Sequence, residues 1–202
     1  GWAHYRGRAG DTALHAHYAV QLVFTAAERD CQVRFENGQC ETGRFIYIPS
    51  HVTHQLTAAA APFDVLFVEP TLLRFDGELH AARGSSLEGL EVWIDEIRSR
   101  QSRAVDPRIQ EALKTIDRTL EDKINLAALA QHVSLSSSRF AELFRQGTGL
   151  ALRPYVLWRR VRRAVLATGE GATATQAAHM AGFSDSAHFA RTLKRMFGIT
   201  HS

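Results

Sequence analysis

An internal repeat between residues 125 and 198 constrains the fold more than any other feature of the sequence. Each copy contains a short stretch of helical periodicity, a tight turn and a second stretch of helical periodicity. The first helix of each copy is predicted over 126–133 and 174–181, and the turns fall at 134–135 and 182–183. Two helices joined in this way form a helix-turn-helix, so the sequence predicts two such modules in succession.

The second helix of each copy follows a serine and has one apolar and one polar face. Ser136 and Ser184 are predicted N-caps, because a serine hydroxyl accepts hydrogen bonds from the free backbone N–H groups of the first turn. In the first copy Phe140 and Phe144 share one face and leave the other face polar. After one extra residue in the second copy, the aligned pairs are Phe140 with Phe189, Phe144 with Leu193, Arg145 with Lys194 and Gly149 with Gly198.

The basic charge of the chain lies in the same half as the repeat. Residues 121–202 contain 11 Lys and Arg against 5 Asp and Glu, whereas residues 1–120 contain 13 against 16. The net charge of +3 therefore arises entirely in the repeat half. A free polar helix face on a basic helix-turn-helix is the arrangement that enters the major groove of DNA.

These residues resemble the AraC/XylS family of transcription regulators, most specifically in the run from Ala178 to Gly198, which contains Gly-Phe-Ser-Asp and ends in Phe-Gly. The resemblance implies two modules that read successive major-groove segments on one face of DNA. Between them Pro154 is predicted to open a helix from Tyr155 to about Thr168, roughly 21 Å long. The arginines of this helix are expected to form a solvated charged face or to reach phosphates; they are Arg159, Arg160, Arg162 and Arg163. Of these, Arg160 matches an arginine of the family that is expected to be structural.

The resemblance also assigns residues on the two recognition helices. Arg191 is the preferred candidate for base recognition, because a guanidinium can donate two hydrogen bonds to guanine. Glu142 has two interpretations, as an acceptor for cytosine N4 and as a solvated partner of Arg139. Base contacts are predicted for Ser138, Ala141, Glu142, Ala187, Ala190 and Arg191, with Ser186 close by, and phosphate contacts for Arg139, Arg145, His188 and Lys194.

Residues 1 to about 75 have the alternation and turn residues of β-strands, a pattern that suits a small β-barrel. The segment 14–24 alternates with period two, which places His15, His17 and Gln21 on one face of a predicted strand. Further strands are predicted over 31–35, 40–48, 55–57 and 64–69.

A hairpin signal, Asn37-Gly38, lies between the two cysteines. Asn-Gly favours a two-residue type I′ turn, in which Phe35 faces Cys40 and Cys31 lies too far along its strand for a disulfide. We therefore expect two free thiols in a reducing compartment. A redox-sensing pair is the alternative.

The strand half resembles a cupin and, with it, the effector domain of the same regulator family. The first cupin motif matches Gly10-x4-His15-x-His17-x3-Gln21, and the second matches Gly43-x5-Pro49-x4-His54. Two departures are Gln21 in place of the usual glutamate and His51 in place of the usual glycine.

The histidines of these motifs suggest a metal or effector site formed by His15, His17, Gln21 and His54. Two histidines two residues apart on a strand project the same way, and a third from a neighbouring strand completes a nitrogen-rich site for Zn, Ni, Mn or Fe. The alternatives are that they line a pocket for an organic effector or are hydrogen-bonded core residues.

The sequence thus predicts two domains of different class: a cupin-like β-barrel over 1–80 and an all-α double helix-turn-helix domain over 106–202, joined by a linker region over 81–105. Within that region 87–100 has an apolar helical pattern that fits either packing on the barrel or a dimer contact. Asp106-Pro107 opens the helical domain as an N-cap followed by proline at the first helical position.

The predicted function is a sequence-specific DNA-binding transcription regulator whose β-domain senses a small molecule or a metal ion. The alternative is a metal-dependent cupin enzyme with a helical DNA-targeting module; no catalytic constellation beyond the histidines supports it, so we expect no enzyme. Expected partners are double-stranded DNA, the effector and, from the resemblance, a second copy of the chain and RNA polymerase. No run of about 20 apolar residues and no signal peptide are present, so no membrane contact and a cytoplasmic location are expected.

Overall fold

The computed structural model describes residues 2–7, 12–25, 30–57, 63–70 and 105–198. The chain forms two compact units, of which the first contains 1–98 with 190–202 and the second contains 99–189. In the described part of the chain, no helix is both long and apolar enough to cross a membrane. The predicted linker helix over 87–100 lies outside the described residues.

In the described residues of the first unit, seven antiparallel strands form two sheets. The four-stranded sheet has the order β1-β7-β2-β5, and the three-stranded sheet has the order β4-β3-β6. The prediction of a β-rich domain is confirmed, but the described strands do not close into the expected barrel. The strands are β1 Trp2–Gly7, β2 Val20–Phe24, β3 Cys31–Phe35, β4 Cys40–Gly43, β5 Phe45–Ile48, β6 His54–Thr57 and β7 Phe63–Val68.

The hydrophobic core of this unit comes from side chains of alternating strand positions. Val33, Ile46, Ile48 and Leu56 are buried, and in β3 buried and exposed residues alternate. Because successive strand side chains point to opposite faces, the alternation puts one face of the sheet into the core. The predicted single strand over 40–48 is wrong, since it divides at Arg44 and its two parts join different sheets.

The hairpin between β3 and β4 differs from the predicted turn by one residue. Arg34 pairs with Cys40, and the Phe35 N–H donates to the Gln39 carbonyl at 2.8 Å. The loop therefore has three residues, and Gly38 has the positive φ of 81°. The thiols are nevertheless free as expected, since Cys31 is buried and pairs with Gly43, far from the exposed Cys40.

The predicted strand over 14–24 is formed only from Val20 onward. Its earlier part is irregular, yet it is fixed to β6, because His15 and His54 exchange two backbone hydrogen bonds of 3.0 and 2.9 Å. The His51 N–H donates to the His17 carbonyl at 2.8 Å, and His51 has a left-handed φ of 61°. Glycine adopts this conformation without strain, whereas other residues do so rarely.

Six helices follow in the described part of the chain. Asp106 caps the first as predicted, with its carboxylate accepting the Arg108 N–H at 2.9 Å. The predicted connecting helix begins earlier than expected, at Leu152, so Pro154 lies inside its first turn, where the missing N–H has no helical partner. The helices are α1 Pro107–Arg118, α2 Leu126–His132, α3 Ser137–Thr148, α4 Leu152–Gly169, α5 Ala174–Met180 and α6 Ser186–Phe197.

Candidate DNA-binding helices and histidine cluster

The two helix-turn-helix turns have the same backbone structure. In the first, Ser134 has a φ of 56° and the Leu135 N–H donates to Ala130 at 2.8 Å. In the second, Gly182 has a φ of 78° and the Phe183 N–H donates to Ala178 at 2.9 Å. A left-handed residue at the end of the first helix is what turns the chain so sharply.

The N-caps of α3 and α6 are not the two aligned serines. Ser136 caps α3 as predicted, because its hydroxyl accepts the Arg139 N–H at 3.3 Å. In the second copy the cap is Asp185, whose carboxylate accepts the His188 N–H at 2.6 Å, and the prediction for Ser184 is wrong. The extra residue therefore lies before the cap of the second helix, and Ser184 instead donates to the Asp185 carboxylate at 2.9 Å.

The polar face of α3 is exposed while its apolar face is fully buried. Phe140 and Phe144 are 0% exposed and their rings stack at 5.5 Å. Arg139 and Glu142 form an ion pair of 2.7 Å with both side chains about half exposed, which corresponds to the second interpretation of Glu142. The predicted contact residues Ser138, Arg139, Ala141, Glu142 and Arg145 are all exposed.

The equivalent face of α6 carries a different set of groups. Arg191 and Lys194 are exposed and make no ion pair with any described residue. Ala187 is exposed, and Ser186 and Ala190 are half-buried. Arg191 takes the position in α6 that Glu142 takes in α3, so the exposed faces of the two helices carry groups of opposite charge at this position.

Three arginines of α4 bind groups at and just after the end of α1, and a structural role was predicted for Arg160 alone. Arg160 donates from Nε to the Leu120 carbonyl at 3.0 Å and from Nη2 to the Asp122 carbonyl at 2.7 Å, which confirms its structural role. Arg163 donates to the Asp117 carbonyl at 2.8 Å, and Arg159 pairs with the Asp117 carboxylate at 2.8 Å. The last carbonyls of a helix lack helical partners, so cations are well placed there. The expected solvated face is therefore wrong for Arg159 and Arg163.

The four residues predicted to form the metal or effector site lie together in the first unit. His15, His17, Gln21 and His54 are all buried, with exposed fractions between 0% and 6%. One ring nitrogen from each histidine lies within 4.8 Å of the others. The Gln21 Oε1 atom lies 2.8 Å from His17 Nε2 and 3.1 Å from His54 Nε2.

Backbone carbonyls fix the protonation of the three rings. The Nδ1 atoms of His15, His17 and His54 lie 2.8, 2.8 and 2.9 Å from the carbonyl oxygens of Ala13, Ala19 and Val52. A carbonyl only accepts, so each Nδ1 carries the proton. Burial lowers the pKa of His17 to about 3 and of His15 to about 4, and it lowers the pKa of His54 as well. The rings are therefore neutral near pH 7, with lone pairs on Nε2.

This protonation leaves acceptors facing one another. The Nε2 atoms of His17 and His54 have no proton to offer the Gln21 oxygen, so three lone-pair atoms meet in a buried space. A cation at their centre, or rotation of the Gln21 amide to present its NH2 group, satisfies them. Metal-binding histidines usually donate their second nitrogen to a carbonyl or carboxylate, as these rings do. The donor set therefore fits a metal ion.

Comparison with known proteins identifies the helical half. Residues 129–202 match the family model of the helix-turn-helix domain. The arabinose operon regulatory protein of Escherichia coli is 34% identical over 101 residues, which are 48% of this chain and 34% of that protein. The helical half of this chain is therefore similar to the DNA-binding helix-turn-helix domain of AraC-type regulators.

A second regulatory protein also matches about half of the chain. The regulatory protein PocR of Salmonella typhimurium is 29% identical over 97 residues, which are 47% of this chain and 32% of PocR. The chain thus spans about a third of the length of the curated relatives that it matches. Their names are those of regulators, in agreement with the prediction that the chain is not an enzyme.

The fold of the whole chain is similar to that of ToxT from Vibrio cholerae. That crystal structure has a TM-score of 0.58 and 9% identity, and the match covers 98% of this chain and 95% of ToxT. A second ToxT structure, with a bound unsaturated fatty acid, has a TM-score of 0.54 and 9% identity, with 100% of this chain and 97% of ToxT covered. The chain therefore has the two-part fold of a β-rich N-terminal domain and a helical C-terminal domain.

Proposed function

We propose that this chain is a sequence-specific DNA-binding transcription regulator whose β-rich domain senses a ligand at the histidine cluster. The observation that carries the DNA-binding part is the repeated helix-turn-helix, in which each second helix has a buried apolar face and an exposed polar one. Exposed side chains on such helices reach base edges in the major groove.

The two recognition helices have separate roles in this proposal. Arg191 of α6 reads a guanine through two hydrogen bonds, because its guanidinium is exposed and unpaired among the described residues. Arg145 and Lys194 bind phosphates and add affinity without sequence preference. In α3 the Arg139–Glu142 pair favours a role for Glu142 in orienting Arg139 toward a phosphate.

The sensing part of the proposal rests on the buried histidine cluster. The ligand set is nitrogen-rich, with His15, His17 and His54 as ligands through Nε2 and Gln21 through its oxygen. Zn, Ni, Mn and Fe are the candidate metals for such a set. A bound ion would supply a link between the 12–21 segment and β6.

A small organic effector is the second candidate for the signal. The ToxT structure with an unsaturated fatty acid provides a precedent for a small-molecule ligand in this fold. A homodimer and RNA polymerase stay predictions from the family resemblance.

Metal content of the purified chain, followed by DNA affinity with and without a chelator, tests the sensing proposal. The DNA is a site selected by the chain from a random library. The proposal expects about one metal ion per chain and a change in DNA affinity when the ion is removed. His17→Ala should abolish metal binding, whereas His132→Ala, an exposed histidine at the end of α2, should not. A chain without metal, and indifferent to added Zn or Ni, would leave an organic effector as the ligand of the β-domain.

A further inference from the structure

The last turn of α6 covers the histidine cluster within the first unit. The Phe197 ring lies 5.5 Å from the His17 ring and 5.2 Å from the Phe67 ring, measured between centroids. The Gly198 carbonyl accepts a 2.9 Å hydrogen bond from the Ala13 N–H. We call Phe197 and Gly198 the α6 cover.

Glycine is required at the second position of the cover. Gly198 has a left-handed φ of 64°, and its N–H donates to the Lys194 carbonyl at 2.9 Å as the helix ends. A Cβ at this position would collide with the Ala13 carbonyl oxygen and lie 2.7 Å from His15 Nδ1. The backbone of the cover therefore lies directly against one of the cluster rings, and no side chain fits between them.

Ala13 joins the cover to the ring of His15. Its N–H donates to Gly198, and its carbonyl accepts from His15 Nδ1 at 2.8 Å. The His15 ring is thus connected to the end of α6 by two hydrogen bonds, both made by Ala13. His17 provides a second connection, because its ring packs on Phe197.

Two of the three cluster histidines contact the α6 cover. The candidate ligand nitrogens of the cluster lie within 4.8 Å of one another, and those of a tetrahedral site with bonds of about 2.0 Å lie roughly 3.3 Å apart. An ion held by these nitrogens would act on the His15 ring, which is linked to Gly198 through Ala13, and on the His17 ring, which packs on Phe197.

We propose that the α6 cover transmits occupation of the histidine cluster by a metal ion to the DNA-facing residues of α6. This inference rests on the metal-sensing part of the proposed function. Arg191 and Lys194 lie on the same helix, about 9 Å and 4.5 Å from Phe197 along its axis. A helix moves as a rigid body over this length, so displacement of its last turn displaces both side chains. Metal binding and DNA binding are then thermodynamically coupled.

The test uses the full chain with Zn²⁺ as the probe and Mg²⁺ as the control ion. Hydrogen exchange is measured for the Ala13 amide and for residues 190–198, with and without Zn²⁺. DNA affinity is measured in parallel on a selected site. Gly198→Ala and Phe197→Leu disturb the cover, and Gly149→Ala is the matched control, because Gly149 ends α3 with the same left-handed conformation at a φ of 78°.

The proposal expects Zn²⁺ to change exchange at Ala13 and along 190–198, and to change DNA affinity by roughly 5- to 150-fold, the usual range of allosteric coupling. Gly198→Ala and Phe197→Leu should bring the affinity ratio with and without Zn²⁺ close to one, while Gly149→Ala preserves it. Zn²⁺ binding that leaves α6 exchange and DNA affinity unchanged overturns the proposal but not metal binding. Equal loss of coupling in Gly149→Ala also overturns it. If Zn²⁺ does not bind, both this proposal and the metal-sensing proposal are overturned. DNA recognition is then judged by itself, and the DNA affinity of the metal-free chain is the measurement for it.

Discussion

Ser134 and Gly182 occupy the same left-handed position in the two helix-turn-helix turns, but Ser134 is exposed whereas Gly182 lies against another segment of backbone. A Cβ at Gly182 would lie 2.7 Å from the Leu120 carbonyl oxygen and from the Glu121 Cα atom. Arg160 holds the same 120–122 segment through its two hydrogen bonds. The end of α1 is therefore fixed from two sides, by α4 and by the second turn.

Exchange of the two turn residues tests this difference. Ser134→Gly should change the free energy of unfolding by less than about 1 kcal/mol, because relief of left-handed strain and loss of backbone entropy oppose each other. Gly182→Ser should lower it by about 2 kcal/mol or more, because the new side chain meets backbone that cannot move aside. Urea denaturation of both variants is the measurement. Similar effects of the two substitutions would contradict the close approach seen at Gly182.

Replacement of Arg160 tests the support that α4 gives to the end of α1. Arg160→Met removes two charge-assisted hydrogen bonds, and we expect a loss of about 1.5–3 kcal/mol in the free energy of unfolding. Arg153→Met, at an exposed arginine of the same helix, should change it by less than about 0.5 kcal/mol. Equal stability of the two variants would mean that these hydrogen bonds add nothing to the fold.

Glu142 distinguishes base recognition from ion pairing on α3. Because the Arg139–Glu142 pair is exposed, Glu142→Gln should change stability by less than about 1 kcal/mol. It should strengthen binding to all DNA sequences, since a negative charge near the phosphates is lost and Arg139 is freed. Fluorescence anisotropy with selected and shuffled sites measures both affinities. Loss of a cytosine preference at one position would instead assign Glu142 to a base.

The histidine cluster makes stability depend on pH in a predictable direction. Burial lowers the pKa of His17 to about 3 and of His15 to about 4, whereas the unfolded rings titrate near 6.5. Between these values the unfolded chain binds more protons, so stability is retained above pH 6.5 and falls as the pH drops toward 4. Urea midpoints at pH 7.5 and 5.0, in the presence of a chelator, measure the effect. His17→Gln should reduce the difference between the two midpoints, while His132→Gln should leave it unchanged.

The sequence predicted best those features that depend on local chemistry. The repeat, the caps at Asp106 and Ser136 and the exposed face of α3 follow from periodicity and from side chains that act within one turn. The cap at Asp185 was missed because the inserted residue lies before the helix, where the alignment of Ser136 with Ser184 conceals it. The hairpin was displaced by one residue because Asn37-Gly38 is compatible with both a two-residue and a three-residue loop.

Features that depend on distant segments were predicted less well. The histidines were expected together for the wrong reason, because a strand over 14–24 was to align them, whereas backbone pairing of His15 with His54 and carbonyl contacts orient the rings. Arg163 and Arg159 were assigned to a solvated face because the carbonyl and carboxylate of Asp117 lie more than forty residues away in the chain. No local pattern reveals such partners.

The most direct test of DNA recognition is the base preference of the full chain and of two variants on a randomised DNA library. We predict a defined preference for the wild-type chain. Arg191→Ala should relax it at one position, by a factor of roughly 5 to 150, because one bidentate base contact is lost. Lys194→Ala should weaken binding to all sequences alike. It should also reduce the slope of log affinity against log salt concentration by about one, the value for one phosphate contact. Equal weakening of all sequences by Arg191→Ala, or no base preference in the wild-type chain, would contradict the account.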